Sequence, residues 1–169
     1  NHRGTAVSYT GANQSGQPDA SATASGTGDT ETGTVTVVAT GSWLAMQTAN
    51  DSAEPTAGAG TVRRGTSSGG GFGFFDSNSA PGTGSQSIVG STSTGGTATW
   101  ALVVASFAPD TGSIAFVRTS TTVNPASNTV AFDGTATNGY LVVQTLKQSS
   151  QTVTGVTYNG VAMTQLVTS

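Results

Sequence analysis

The chain reads as all-β: an antiparallel β-sandwich or jelly-roll-like module, open to completion by strands from a neighbouring subunit. Three observations predict this. Short runs rich in Val, Thr and aromatic residues recur at intervals of roughly 8–15 residues. Gly, Pro, Asn and Asp, the residues of tight turns, stand between them. Apolar residues at helical spacing are missing, and 31 Thr, 21 Ser and 24 Gly among 169 residues occupy positions where helix formers would stand.

The strand candidates follow in order. Thr5 to Tyr9 alternates after Arg3-Gly4. Thr34 to Ala39 reads Thr-Val-Thr-Val-Val-Ala, and Ser42 to Thr48 reads Ser-Trp-Leu-Ala-Met-Gln-Thr. Thr61 to Gly65 carries the paired Arg63 and Arg64. Phe72 to Phe75 and Ser85 to Val89 come next. Ala98 to Phe107 is the most apolar run, which predicts a central strand buried on both faces. The second half adds Ile114 to Thr119, Thr129 to Phe132, Tyr140 to Leu146, Val153 to Tyr158 and Val161 to Val167. Asn159-Gly160 is the sharpest hairpin signal, because a type I′ turn needs positive φ at both central residues. Pro18, Pro55, Pro81, Pro109 and Pro125 all fall between strands, where a missing N–H costs little.

Composition excludes several functions. Five positive charges against eight negative, with a net charge of −3, do not suit a phosphate backbone, so no nucleic-acid partner is expected. With no Cys and a single histidine, His2, the chain lacks a donor set for zinc or haem. No apolar run is long enough for a membrane-spanning helix, so no membrane insertion is expected. The Ser/Thr-rich, Lys-poor composition is common on bacterial surfaces and in virions, which points to an extracellular, cell-surface or virion location.

No catalytic constellation is legible. The carboxylates Asp19, Asp29, Glu31, Asp51, Glu54, Asp76, Asp110 and Asp133 are scattered through loop-like sequence and read as solvated charges. A paired acid and base needs one carboxyl in an apolar pocket, and no such pair stands out. Asp29, Glu31, Asp51 and Glu54 offer hard oxygen atoms for calcium but lack an EF-hand loop, so no metal and no cofactor is predicted. Asn13-Gln14-Ser15 and Asn50-Asp51-Ser52 match the N-glycosylation pattern.

Core and contact residues complete the reading. Trp43, Trp100, Leu102, Val104, Leu141, Val143 and Val156 are expected in the core. Arg63 and Arg64 are adjacent on a strand and so face opposite ways; they read as edge charges or as salt-bridge partners of another subunit. Gly69-Gly70-Gly71-Phe72-Gly73-Phe74-Phe75 reads as a flexible turn leading into a strand, with Phe72 and Phe74 either buried or forming an aromatic contact surface. Tyr140 and Tyr158 join them as contact candidates.

Two segments echo each other: Gly41 to Thr48 and Asn138 to Thr145 share an aromatic residue, Leu, two apolar residues, Gln and Thr. Val153 to Thr164, Asn138 to Leu146, Gly4 to Ala12 and Thr97 to Pro109 together resemble the Ser/Thr/Gly-rich β-sandwich modules of large bacterial surface and phage-associated structural proteins. That resemblance implies display, adhesion or assembly rather than chemistry. In such modules the part like residues 113–169 comes first and the part like residues 1–109 comes second. Here the order is reversed, with residues 110–112 as a linker. A window on tandem repeats, a circular permutation, or completion of each chain by its neighbour would each explain this. The expected function is therefore a non-enzymatic structural subunit. It would form a filament, or a virion surface, by head-to-tail strand complementation between copies. A glycan-binding or adhesive module is the alternative.

Overall fold

Two patterns, alternation of inward and outward residues on β2 and β3 and continuous apolar runs on the inner strands, build the computed structural model, which describes residues 3–66, 71–92, 95–112, 114–123, 139–146, 155–158 and 160–164. The strands are β1 (Arg3–Thr10), β2 (Ala20–Thr27), β3 (Thr30–Val37), β4 (Trp43–Asn50), β5 (Thr56–Ala57), β6 (Val62–Thr66) and β7 (Gly71–Asp76). They continue with β8 (Gly84–Ser91), β9 (Thr99–Phe107), β10 (Ala115–Val123), β11 (Gly139–Leu146), β12 (Thr157–Tyr158) and β13 (Val161–Ala162). All pairings among the described residues are antiparallel. The result is a multi-sheet, all-β fold of the sandwich type.

A five-stranded sheet, β2-β9-β4-β7-β6, lies at the centre. A three-stranded sheet, β3-β8-β5, covers one face. Between them Val35, Val37 and Ile88 from the outer sheet meet Leu44, Met46, Phe75, Leu102 and Val104 from the central one. Another three-stranded sheet, β10-β1-β11, covers part of the opposite face. There Val7, Tyr9 and Val142 pack with Ala45, Phe74, Ala105, Phe107 and Ile114. β4, β7 and β9 are therefore buried on both faces, which is why their apolar residues run continuously instead of alternating. Each apolar side chain buried here contributes on the order of 1.5–3 kcal/mol.

Glycine makes the close packing possible where the aromatic residues are largest. A Cβ on Gly73 would stand 2.6 Å from the Phe75 ring and 2.8 Å from Pro55. The glycine beside the phenylalanines is thus the space into which one of them folds.

β2 is not among the strands that the sequence pattern predicts. Ala-Ser-Ala-Thr-Ala-Ser-Gly-Thr has no large apolar residue, yet its small side chains alternate half-buried and exposed along the whole strand. Ala20, Ala22 and Ala24 pack against the core cluster of the central sheet. The segment Thr129 to Phe132 lies outside the described residues. Where the sequence predicts the hairpin, two short strands pair antiparallel, with Tyr158 opposite Val161 and Gly160 at φ +76°; Asn159 lies outside the described residues.

Several expected core positions sit differently. Leu102 and Val104 are buried, whereas Trp43 and Trp100 are half-buried and lie against the rims of the two clusters. On β11 the buried residue is Val142, and Leu141 and Val143 are half-buried. The run Leu-Val-Val is apolar at both parities, so its pattern does not select a face. The register with β1 does, by turning Val142 toward the shared core. Val156 is half-buried before the terminal hairpin.

Candidate functional site

β1 occupies the middle of its sheet although it begins at Arg3. Its residues pair with β10 on one side, from Arg3 opposite Val123 to Thr10 opposite Ala115, with an irregularity between Ser8 and Tyr9. On the other side they pair without interruption with β11, from Arg3 opposite Leu146 to Thr10 opposite Gly139. Among the described residues β10 and β11 meet the rest of the molecule chiefly through β1. The exit of β9 is pinned to the loop after β1: Asn13 N–H donates to the Ala108 carbonyl at 3.0 Å, and Asp110 N–H to the Gly11 carbonyl at 2.9 Å. Beyond that pin only a few residues lead into β10, among them the exposed Gly112 at φ +109°.

A buried polar cluster locks β1 onto the central sheet. Tyr9 Oη donates to Asp76 Oδ2 at 3.1 Å. Arg64 Nε donates to the same oxygen at 2.7 Å, and Arg64 Nη2 donates to Asn78 Oδ1. Asn78 N–H donates to Asp76 Oδ1 at 3.0 Å, and Asn78 adopts φ +52°, a left-handed conformation that asparagine tolerates better than most residues. The Arg64 guanidinium lies 4.1 Å from the ring centre of Phe116 on β10. Tyr9 meets Phe116 and Trp43 edge to face, with ring centres 6.3 and 5.9 Å apart. One carboxylate thus gathers donors from β1, β6 and the turn after β7. Burial first, then the charge of Asp76 and its hydrogen bond, push the Tyr9 phenol well above its usual pKa, while Arg64 opposes them.

Arg64 reaches this cluster because the pairing of β6 with β7 shifts between Arg63 and Gly65. The bulge turns Arg64 inward beside Asp76, whereas Arg63 points to the rim. Arg63 Nη1 lies 2.7 Å from Glu54 Oε1 and donates to the Pro55 carbonyl at 2.8 Å. Both arginines therefore find their partners within their own chain.

The aromatic contact candidates divide. Phe72 and Phe74 are 1% and 0% exposed, so they are buried rather than displayed, because β7 is an inner strand of the central sheet. Tyr158 is 40% exposed on the terminal hairpin. Tyr140 stands opposite Tyr9 in the ladder, and its side chain lies outside the described residues.

Two carboxylates are not solvated. Asp76 and Glu31 are both fully buried. Glu31 Oε1 accepts from Asn50 Nδ2 at 2.8 Å, and its Oε2 has no partner among the described residues. The signal was present in the sequence. By period two, Asp76 shares the inward parity of Phe72 and Phe74, and Glu31 that of Val35 and Val37. A charge at an inward position marks a buried partner more surely than a charge in a turn.

Asp19, Asp29 and Asp51 hold loops. Asp19 accepts from Ala39 N–H and Ser42 Oγ, and Asp29 from Gly96 N–H. Asp51 accepts from Thr99 N–H and Ser52 Oγ, and the Thr99 bond first of all keeps its carboxyl below the usual range. The four carboxylates considered for calcium are thus engaged separately, and no group of three metal-ligating residues forms among the described residues. Asp133 lies outside the described residues. Asn50, in one of the two glycosylation patterns, uses its amide on Glu31 and its carbonyl on the N–H groups of Ser52 and Ala53.

In comparison with models of protein families, with curated proteins and with solved structures, the chain matches none.

Proposed function

We propose that this chain is a non-enzymatic structural subunit that assembles head to tail with copies of itself, each copy's β10 and β11 embracing β1 of the next. The location that goes with this reading is an extracellular filament or a virion surface. The architecture would be a jelly-roll-like sandwich completed by a neighbour's strands. The observation that supports it is the bracketing of β1 by β10 and β11, two strands that follow it in the sequence only after the whole central sheet. Exchange between copies re-forms the same ladders and the same packing of Val7 and Tyr9. The choice between a closed chain and a polymer then rests on the short hinge around Gly112, and short hinges favour exchange. The resemblance to surface and phage-associated modules, with its reversed order of halves, points the same way.

A double substitution tests this in a chain without native cysteine. Ala6 on β1 stands opposite Val143 on β11. In Ala6→Cys/Val143→Cys, oxidation of assembled protein should produce a ladder of covalent multimers on a non-reducing gel. A product consisting only of internally cross-linked monomer would overturn the proposal.

A further inference from the structure

We infer that the outer edge of β2 is a second interaction surface, and that its partner is β2 of another copy, paired antiparallel about a two-fold axis. The inference stands on β2 alone and is independent of any exchange of β10 and β11.

The edges of the central and β3-β8-β5 sheets differ in how they are guarded. β5 has only two residues. β6 carries Arg63 and Arg64 and a bulge. β3 turns the charge of Glu31 inward. Short strands, bulges, edge charges and inward charges are the devices that prevent edge-to-edge pairing. β2 has none of them: it runs eight residues without charge, proline or bulge, in unbroken register with β9.

Among the described residues β2 is an edge strand of the central sheet, and hydrogen bonding shows which of its backbone groups face that edge. Gly28 N–H donates to the Ala98 carbonyl, and Asp51 N–H to the Thr99 carbonyl. Even-numbered residues of β9 therefore face β2, and odd-numbered ones face β4. Through the register of β2 with β9, the even residues of β2 face β9. Ser21, Thr23, Ser25 and Thr27 direct their N–H and C=O groups to the open edge.

The sequence of β2 matches its own reverse. With Thr23 opposite Thr23, Ser21 meets Ser25, Ala22 meets Ala24, and Ala20 meets Gly26. Inward positions then oppose inward ones, outward hydroxyls oppose hydroxyls, and no charge meets another. A two-fold antiparallel pair requires this self-complementarity. The pairing would join two central sheets into one. A single strand pair is a small interface, so its occupancy is best read by covalent trapping.

The test uses three variants of the full chain. Thr23→Cys places the cysteines opposite each other across the axis, whereas Thr36→Cys lies exposed on the guarded edge of β3. Under mild oxidation Thr23→Cys should form a disulfide dimer at least about tenfold faster than Thr36→Cys, because pairing raises the effective thiol concentration. Thr23→Lys, which places like charges together, should lower the mass of associated species in light scattering. Equal dimerisation rates for the two cysteine variants, or association unchanged in Thr23→Lys, would overturn the inference. If Ala6→Cys/Val143→Cys yields only monomer while Thr23→Cys dimerises, head-to-tail exchange fails and the β2 pairing stands.

Discussion

The phenol of Tyr9 donates to the Asp76 carboxylate at 3.1 Å, across the layer between the β1 sheet and the central sheet, with both groups shut off from solvent. This bond joins the first strand of the chain to the seventh. It also places a hydrogen-bonded charge where most neighbours are apolar, so the seating of β1 is specific in direction and register as well as in hydrophobicity.

Tyr9→Phe keeps the ring and removes the donor. Loss of a buried hydrogen bond to a charged group should lower stability by about 1.5–3 kcal/mol. Urea unfolding of the two proteins at neutral pH measures it, and coincident midpoints would show that the bond contributes nothing.

The same phenol predicts a response to alkali. Its folded-state pKa lies above the ordinary value of about 10. Between the two values the unfolded chain binds fewer protons than the folded one, so stability falls as pH rises. The contribution of Tyr9 is complete below about pH 10 and is lost as pH climbs through the folded-state value. Urea midpoints measured across this range should fall more steeply for the parent protein than for Tyr9→Phe.

Arg64 and Asp76 form a pair whose carboxylate is fully buried and whose guanidinium side chain is 15% exposed. Removing one member strands the other. Arg64→Met or Asp76→Leu alone should therefore cost about 3–5 kcal/mol, with Arg64→Met at the lower end because its site reaches solvent. The double variant should recover much of that loss, since no charge is left unpaired. A double-mutant cycle by chemical denaturation reads the coupling, and strict additivity would deny it.

Gly73→Ala tests the packing around the phenylalanines. Phe75 and Pro55 both stand where the new methyl would go. The change should cost about 1–3 kcal/mol through overpacking, despite the higher strand propensity of alanine. An unchanged thermal midpoint would mean that the ring moves freely.

Residue size misleads at the rim of the core. Trp100 is half-buried, and Leu102, two residues on, is buried. Leu102→Ala should cost about 3 kcal/mol and Trp100→Ala about 2 kcal/mol, the reverse of their volumes. Unfolding curves of the two variants decide the order.

The strands with large residues were legible because a pleated sheet imposes a period of two, or a continuous apolar run where both faces are covered. β3, β4, β7 and β9 announce themselves in this way. β2 did not, because alanine and serine carry little transfer free energy and its inner face is recognisable only once the core is beside it. Asp76 and Glu31 occupied inward parities in plain view, but nothing local identified their partners. Tyr9 and Arg64 lie 67 and 12 residues from Asp76.

The sequence by itself determined an antiparallel all-β chain, the position of its most apolar strand, and the turn between Tyr158 and Val161. These follow from side-chain periodicity and from the backbone preferences of single residues, which act over a few positions. Tertiary structure decided which face of Leu141-Val142-Val143 is buried, which way Arg64 points, and that β1 lies between β10 and β11. Each of these depends on register and on bulges, and the free energy that selects them comes from contacts between segments distant in the chain.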